Sequence, residues 1–298
     1  MRTAFIQQLI KEAETNDSIF LIVGDLGFSV VEPFRDRFPD RFLNAGIAEQ
    51  NMAGMAAGLA KEGYNVYIYS IANFPTLRCM EQIRYDIAYH NLNVKIVSVG
   101  AGYAYASLGA SHHATEDIGM MRTIPNMVVC SPGDPVEAQA ITKFSVHCNG
   151  PMYLRLGKAG EKVVHTNNII VEKPGDILPV EIKESKNAII ASGAILAYTV
   201  DFCKKNNLDA ALYSIPFIKP INMESLHDIA EKYDVITLIE EHQKSCGAGS
   251  AFVEIANDLF AKGVLRNYPR INRIAINDIF YHEAGNQQEL REMAGLVL

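Results

Sequence analysis

Apolar positions along this chain recur in two rhythms. Residues 3–15 repeat them at helical spacing. Ile19-Phe20-Leu21-Ile22-Val23 is then a continuous run ended by Gly24-Asp25, the pattern of a strand buried on both faces. Arg41-Phe42-Leu43 reads as a short extended piece, and a helix over 47–61 follows. In it Met52, Met55, Ala56 and Leu59 recur at helical spacing, small residues fill the gaps, and Gly63 follows the end. The same alternation predicts strands at 66–70, 94–99, 127–130 and 152–156. Helices are predicted at 76–90, 116–123 and 135–146.

From Gly157 to about Glu184 the periodicity fades into lysines and the turns Ala159-Gly160 and Pro174-Gly175. It then restarts, with strands at 187–192, 210–214, 235–239 and 271–275. Helices are predicted at 196–206, 223–232, 247–260 and 287–294. The expected division is a domain over 1–158, a linker over 159–185 and a smaller domain over 186–298. Strands alternating with helices predict two successive open, mainly parallel-sheet α/β domains.

Composition narrows the class. Of 298 residues 49% are hydrophobic, enough for substantial cores. No apolar run reaches the roughly 18 residues of a membrane span. The N-terminal helix carries acids, which excludes a signal peptide reading. Net charge is −7 with Lys and Arg scattered, so no nucleic-acid footprint is expected. The five cysteines are far apart and form no CxxC, the usage of a reduced, cytoplasmic protein without structural zinc.

Ligands in open parallel sheets bind beyond the carboxyl ends of strands, so the loops there carry the candidate chemistry. Glu49 stands in the first turn of the helix over 47–61, beside Ile47, Ala48 and Met52. Two readings stay open for it: capping its own helix, since acids suit first turns, or handling a proton. Gly27 and Ser29 follow the first strand, where a plain turn accounts for them equally well. Phe74 lies in the loop after 66–70 as either packing or a stacking platform. Arg78, Glu81 and Arg84 have the spacing of helix-surface ion pairs. His112 and His113 invite a metal reading, but adjacent side chains point apart and no third ligand is suitably spaced. His112 as a loop donor or proton carrier fits better. Gly247-Ala248-Gly249-Ser250 could open a helix onto an anion, but Glu240 and Glu241 just upstream disfavour a phosphate. The loop reads as structural or interfacial. No Walker lysine, GxGxxG after a strand or GxSxG elbow occurs.

Read as strings, GIAEQNMAGMAAGLA, LRCMEQIRYDIAYHNLNVKIV, GASHHATEDIGMMRTIPNM and SPGDPVEA resemble the pyrimidine-binding domain of the transketolase family. SGAILAY, IKPIN, LIEEHQKSCGAGSA and GNQQELREMAGL resemble its C-terminal domain. The resemblance covers nearly the whole chain and is that of the C-terminal section of a split, two-subunit transketolase-like enzyme. Family members carry a GDG triplet and a later asparagine that hold Mg²⁺ and the diphosphate of thiamine diphosphate. Gly24-Asp25-Leu26 is not that motif and none occurs elsewhere. The resemblance therefore implies a separate N-terminal-type subunit that carries the GDG motif and holds Mg²⁺ (or Ca²⁺), with no metal ligand in this chain. A heterotetramer is the expected assembly.

By the same resemblance Glu49 bonds the aminopyrimidine nitrogen and is catalytic, in a setting whose apolar character would raise its pKa. Phe74 stacks on the pyrimidine, with Arg78 near the same mouth and Ile47 also lining the cofactor. His112 donates to the substrate oxygen or developing alkoxide. Lys158 takes the place of a phosphate-binding arginine and Ser29 that of an assisting serine. Leu108 replaces an aspartate that reads a sugar hydroxyl, and a histidine common after the preceding strand is missing at Gly100-Ala101-Gly102. The expected reaction is transfer of a two-carbon ketol group from a ketose to an aldehyde, with an unusual sugar substrate. The alternatives are a pyruvate-using thiamine enzyme, like deoxyxylulose-phosphate synthase or the beta chain of a dehydrogenase, and a non-catalytic scaffold.

Overall fold

A computed structural model describes residues 1–171, 173–283 and 285–298. Glu172, in the expected linker, and Ala284, in the expected second domain, lie outside the described residues. The first half runs α1 (Arg2–Ala13), β1 (Ile19–Val23), α2 (Glu32–Arg37), β2 (Phe42–Asn44), α3 (Glu49–Lys61) and β3 (Asn65–Ile71). After a helical segment come β4 (Val94–Val99), α4 (Asp117–Thr123), β5 (Val128–Cys130), α5 (Pro135–His147) and β6 (Met152–Leu156). The second half holds β7 (Leu178–Glu181), β8 (Asn187–Ser192), α6 (Leu196–Lys205), β9 (Ala211–Ser214), β10 (Phe217–Lys219) and α7 (Met223–Lys232). It closes with β11 (Val235–Gln243), α8 (Ala248–Ala261), β12 (Arg270–Ile276) and α9 (Gln287–Met293).

Two sheets result, ordered β10-β5-β6-β4-β3-β1-β2 and β12-β11-β8-β9-β7. All pairings are parallel except β10 on β5 and β7 on β9. Helices cover both faces, which is why β4 and β6 are buried along their whole length and read as nearly unbroken apolar runs. Among the described residues, no helix is long and apolar enough to cross a membrane.

Four features depart from the expected elements. β7 falls inside the segment expected to be linker up to 185. It is a short edge strand with Pro179 in it, half-buried, so it carries no apolar run to betray it. β10 belongs to the second half of the chain yet pairs antiparallel with β5 of the first sheet, Phe217 opposite Cys130. Three residues are too few to show a period. The helix expected at 76–90 is broken into a short turn at Leu77–Cys79 and π-helical turns over Gln82–Ala88. The wider turn keeps Ile83, Ile87 and Ala88 buried together. Finally, β11 continues through Glu240, Glu241 and His242, expected to follow the strand, and buries all three.

Candidate active site

The mouth of the first sheet is built from the carboxyl ends of β1, β2, β3 and β4. Asn44, closing β2, accepts through Oδ1 from the backbone N–H groups of Asp25 and Gly46, both at 3.0 Å, and donates through Nδ2 to Asp25 Oδ1. This ties β2 to β1 and sets the turn that launches α3. Gly46 takes a left-handed φ of 73°, which a glycine adopts without steric cost. The helix then starts at Glu49 behind Ala48, whose side chain makes no cap.

Glu49 is 4% exposed, and its Oε2 lies 3.4 Å from Arg78 Nη1. Its Cγ rests 3.6 Å from where a Cβ on Gly24 would stand, so the side chain crosses the end of β1. The carboxylate thus spends itself on Arg78 and not on a cap. Its company is also less apolar than the sequence implies, because a guanidinium from a distant helical turn reaches it. Arg78 is 51% exposed, and its Cζ sits 4.2 Å over the Phe74 ring. Phe74 in turn meets His112 edge-on, ring centroids 5.3 Å apart. Close by, the buried hydroxyl of Ser70 has no hydrogen-bond partner among the described residues.

The two adjacent histidines go to different surroundings. His113 is buried, edge-on to Tyr103 at 5.1 Å with its Nε2 3.4 Å from the Ala106 carbonyl. His112 stays at the mouth, Nδ1 2.9 Å from Ser111 Oγ. Burial, together with the neighbouring His113 and Arg78, lowers its pKa, so the ring is neutral near pH 7. If the Ser111 hydroxyl donates to Nδ1, Nε2 carries the proton and is the donor available to a ligand.

Three expected residues are exposed without such contacts. Ile47 is 77% exposed two residues ahead of Glu49, and Leu108 is 54% exposed in the loop before His112. Ser29 has a left-handed φ of 63°, and its backbone N–H donates to Glu32 Oε1 at 2.8 Å. Lys158, exposed beyond β6, places Nζ 5.4 Å from the centre of the Tyr105 ring. The structure therefore links Glu49, Arg78, Phe74 and His112 in one row, reaches Lys158 through Tyr105, and leaves Ser29, Ile47 and Leu108 around its edge.

A second concentration of charge escapes the sequence reading. Arg155, inside β6, donates through Nε to Asp117 Oδ2 at 2.7 Å and through Nη2 to the carbonyls of Ala114 and Glu241. Tyr153 also donates to Asp117 Oδ2, at 2.5 Å. Glu241 accepts from Tyr103 N–H, Gln287 and Arg291, joining the first sheet to α9. The signal is present in the sequence: an arginine in the run Met152-Tyr153-Leu154-Arg155-Leu156 must have a buried partner. Glu240 accepts from the Ala248 and Gly249 N–H groups and caps α8, so the glycine-rich loop there holds a carboxylate of its own chain.

Asp134, Glu137 and His165 lie close enough together to hold an ion. Their atoms are already engaged. Asp134 accepts from Glu137, Val164 and His165 N–H, and Glu137 from Gly133 N–H and His165 Nε2. The cluster fastens residues 164–165 to the start of α5.

A mainly parallel sheet whose mouth carries a buried acid, a cation and an aromatic, followed by a smaller mainly parallel sheet, makes a two-domain α/β protein. The chain belongs to the transketolase family. The transketolase pyrimidine-binding domain matches residues 1–160 and the transketolase C-terminal domain residues 179–297. It is 33% identical to the putative transketolase C-terminal section of Methanocaldococcus jannaschii, over 99% of this chain and 92% of that protein. It is 30% identical to one of the subunits of apulose-4-phosphate transketolase from Actinobacillus succinogenes, over 98% and 92%. A solved split-gene transketolase, described as an inactive β4 tetramer, superposes with a TM-score of 0.85 at 32% identity, covering 99% and 93% of the two chains. The family implies dependence on thiamine diphosphate. A partly buried aromatic, a buried carboxylate and an orphaned hydroxyl fit the flat, nitrogen-bearing ring of that cofactor.

Proposed function

We propose that this chain is the catalytic C-terminal-type subunit of a split transketolase-like enzyme, moving a two-carbon ketol group from a ketose donor to an aldehyde acceptor. The observation that carries the reading is the row Glu49, Arg78, Phe74 and His112 at the mouth of the first sheet. Thiamine diphosphate, when bound, supplies the carbon nucleophile that holds the ketol unit. This chain's residues do the rest on its side of the pocket. Glu49, itself buried, would hold a proton at a pyrimidine nitrogen. Phe74 stacks on the ring, Ile47 lines it, and Arg78 keeps the Glu49 carboxylate in place. His112 donates from Nε2 to the substrate oxygen as charge develops there. Lys158 holds an anionic end of the substrate, with Ser29 assisting.

Mg²⁺ (or Ca²⁺) and the diphosphate belong to a separate N-terminal-type subunit carrying GDG, in a heterotetramer, in the cytoplasm. The division of the chain stays at 1–158 for the first domain, with the second domain enlarged to begin at β7. The relatives named as apulose-4-phosphate transketolase subunits support a sugar-phosphate substrate. Leu108, apolar and exposed in the loop before His112, supports one other than an ordinary pentose or hexose phosphate. Leu108 also suits a donor without hydroxyls, which keeps pyruvate as the second reading.

Mixing the chain with its N-terminal-type partner, thiamine diphosphate and Mg²⁺ tests this. Ketol transfer is expected from the mixture and from neither subunit alone, with weak turnover of xylulose and ribose phosphates. Pyruvate consumption with CO₂ release would replace the first reading by the second. Turnover by this chain alone would refute the shared pocket.

A further inference from the structure

Between His112 and Lys158 lies Tyr105. Its ring centroid is 6.5 Å from that of His112, at an interplanar angle of 72°, and 5.4 Å from Lys158 Nζ. It is therefore the connecting side chain between the proton-donating end of the site and its cationic end. The backbone is shaped around it. Gly100 has a left-handed φ of 96°, and a Cβ there would overlap Tyr105 Cε2 and Cδ2. The ring can lie against the end of β4 only because position 100 has no side chain. Gly100 and Ala101 N–H both donate to the Leu156 carbonyl, at 2.9 and 3.0 Å, which fastens the end of β4 to β6 two residues before Lys158. Leu108 N–H donates to the Tyr105 carbonyl at 2.9 Å, so the loop that carries Leu108 is registered on the same residue.

We propose that Tyr105 is a specificity-determining residue. Its ring is the wall along which the carbon chain of an anionic aldehyde acceptor lies, between His112 at the carbonyl and Lys158 at the anion. It thereby sets the length of acceptor that can engage both ends at once. A rigid ring held by a glycine beneath and a cation beside it keeps that spacing constant, whereas a flexible side chain would let acceptors of several lengths reach both ends. This rests on the ketol-transfer reading.

The test uses the assembled two-subunit enzyme and a series of aldose phosphates of two to five carbons: glycolaldehyde phosphate, glyceraldehyde 3-phosphate, erythrose 4-phosphate and ribose 5-phosphate. Wild type is expected to favour one length. Tyr105→Leu should lower the kcat/KM ratio between the best and next-best lengths by about tenfold or more, mainly through KM. Tyr105→Phe should keep that ratio within about twofold, because the ring remains. Gly100→Ala drives a methyl group into the ring and should move the preference in the same sense as Tyr105→Leu. Thiamine diphosphate affinity, followed by near-ultraviolet circular dichroism, should be unchanged in the two Tyr105 variants, which separates specificity from misfolding. A Tyr105→Leu enzyme with the wild-type length ratio overturns the proposal. If the wild-type assembly transfers no ketol group to any of the four, the functional reading has failed. Calorimetric binding of the same compounds then decides Tyr105: a length preference lost in Tyr105→Leu supports it, and a preference kept, or no binding, overturns it.

Discussion

Two arginine–carboxylate pairs in the first sheet's domain have the same chemistry and opposite surroundings. Arg155 and Asp117 are both buried at 2.7 Å, and neighbouring carbonyls and Tyr153 take up further hydrogen bonds of the pair. Burial pushes the Asp117 carboxyl up, but Arg155, His242 and the bonds from Arg155 and Tyr153 outweigh it and hold it below its ordinary value. Arg78 and Glu49 meet at 3.4 Å, with the acid buried and the arginine half in water over an aromatic ring. The first pair is shut away from solvent, with Asp117 Oδ1 left without a hydrogen-bond partner among the described residues, and Arg155 ties it to the Glu241 carbonyl of the second domain. The second is open on one side, as a carboxylate must be if a ligand is to reach it. What separates the two pairs is access from solvent, not density of charge.

Removing Arg155 should show the closed pair as structural. Arg155→Leu leaves Asp117 buried without its cation, an expected loss of about 3–5 kcal/mol, or a fall in melting temperature on the order of 10 °C. Calorimetry of the isolated chain checks it, and an unchanged Tm would mean that Asp117 finds another partner. Glu49→Ala should do the reverse. Turnover of the assembled enzyme should fall by about a thousandfold, roughly 4 kcal/mol in barrier, while Tm and assembly stay as in wild type. Full turnover in that variant would return Glu49, and the chain, to a scaffolding role.

His242 sharpens the contrast through pH. Its Nε2 accepts from Gly119 N–H at 3.3 Å and its Nδ1 donates to the Gln243 carbonyl at 2.9 Å. Burial holds its pKa down at about 4, against an ordinary value of 6.5. Below pH 6.5 the unfolded chain takes up a proton that the folded chain refuses, so stability is lost as pH falls from 6.5 towards 4. The loss is about 3 kcal/mol across that window. Glu240, pushed up to about 7 by burial, acts in the other sense, its contribution fading as pH rises through 7. Comparing wild type with His242→Gln isolates the histidine, and the variant should show the shallower acid decline in Tm. Equal declines would remove His242 as the cause. Arg78→Gln is the mildest change: with its arginine half-exposed, the pair should cost about 1 kcal/mol or less in Tm measurements. A larger loss would make the open pair as structural as the closed one.

Much of this molecule is legible in its residues, for identifiable reasons. The buried parallel strands appear as apolar runs because both faces are covered, and α3 shows its period over 13 residues. Glu49, Phe74, Arg78 and His112 are each visible as loop or first-turn residues after strands. That Arg78 sits on Phe74 and reaches Glu49, 29 positions away, is not. Nor is the breaking of the expected helix at 76–90, or the placement of Tyr105, which rests on an empty position at Gly100.

Local pattern settled most of the alternation of strand and helix, with β7, β10 and the broken helix at 76–90 as the exceptions, because a longer element's period is written in consecutive side chains. It also pointed to a family whose residues recur in order along nearly the whole chain. Three dimensions alone decided which edges pair and which charges meet. β10 crosses back to β5, Glu241 reaches Tyr103 and Arg291, and Tyr105 lies on Gly100. Such contacts depend on where distant segments come to rest, and no window of neighbouring residues contains both partners.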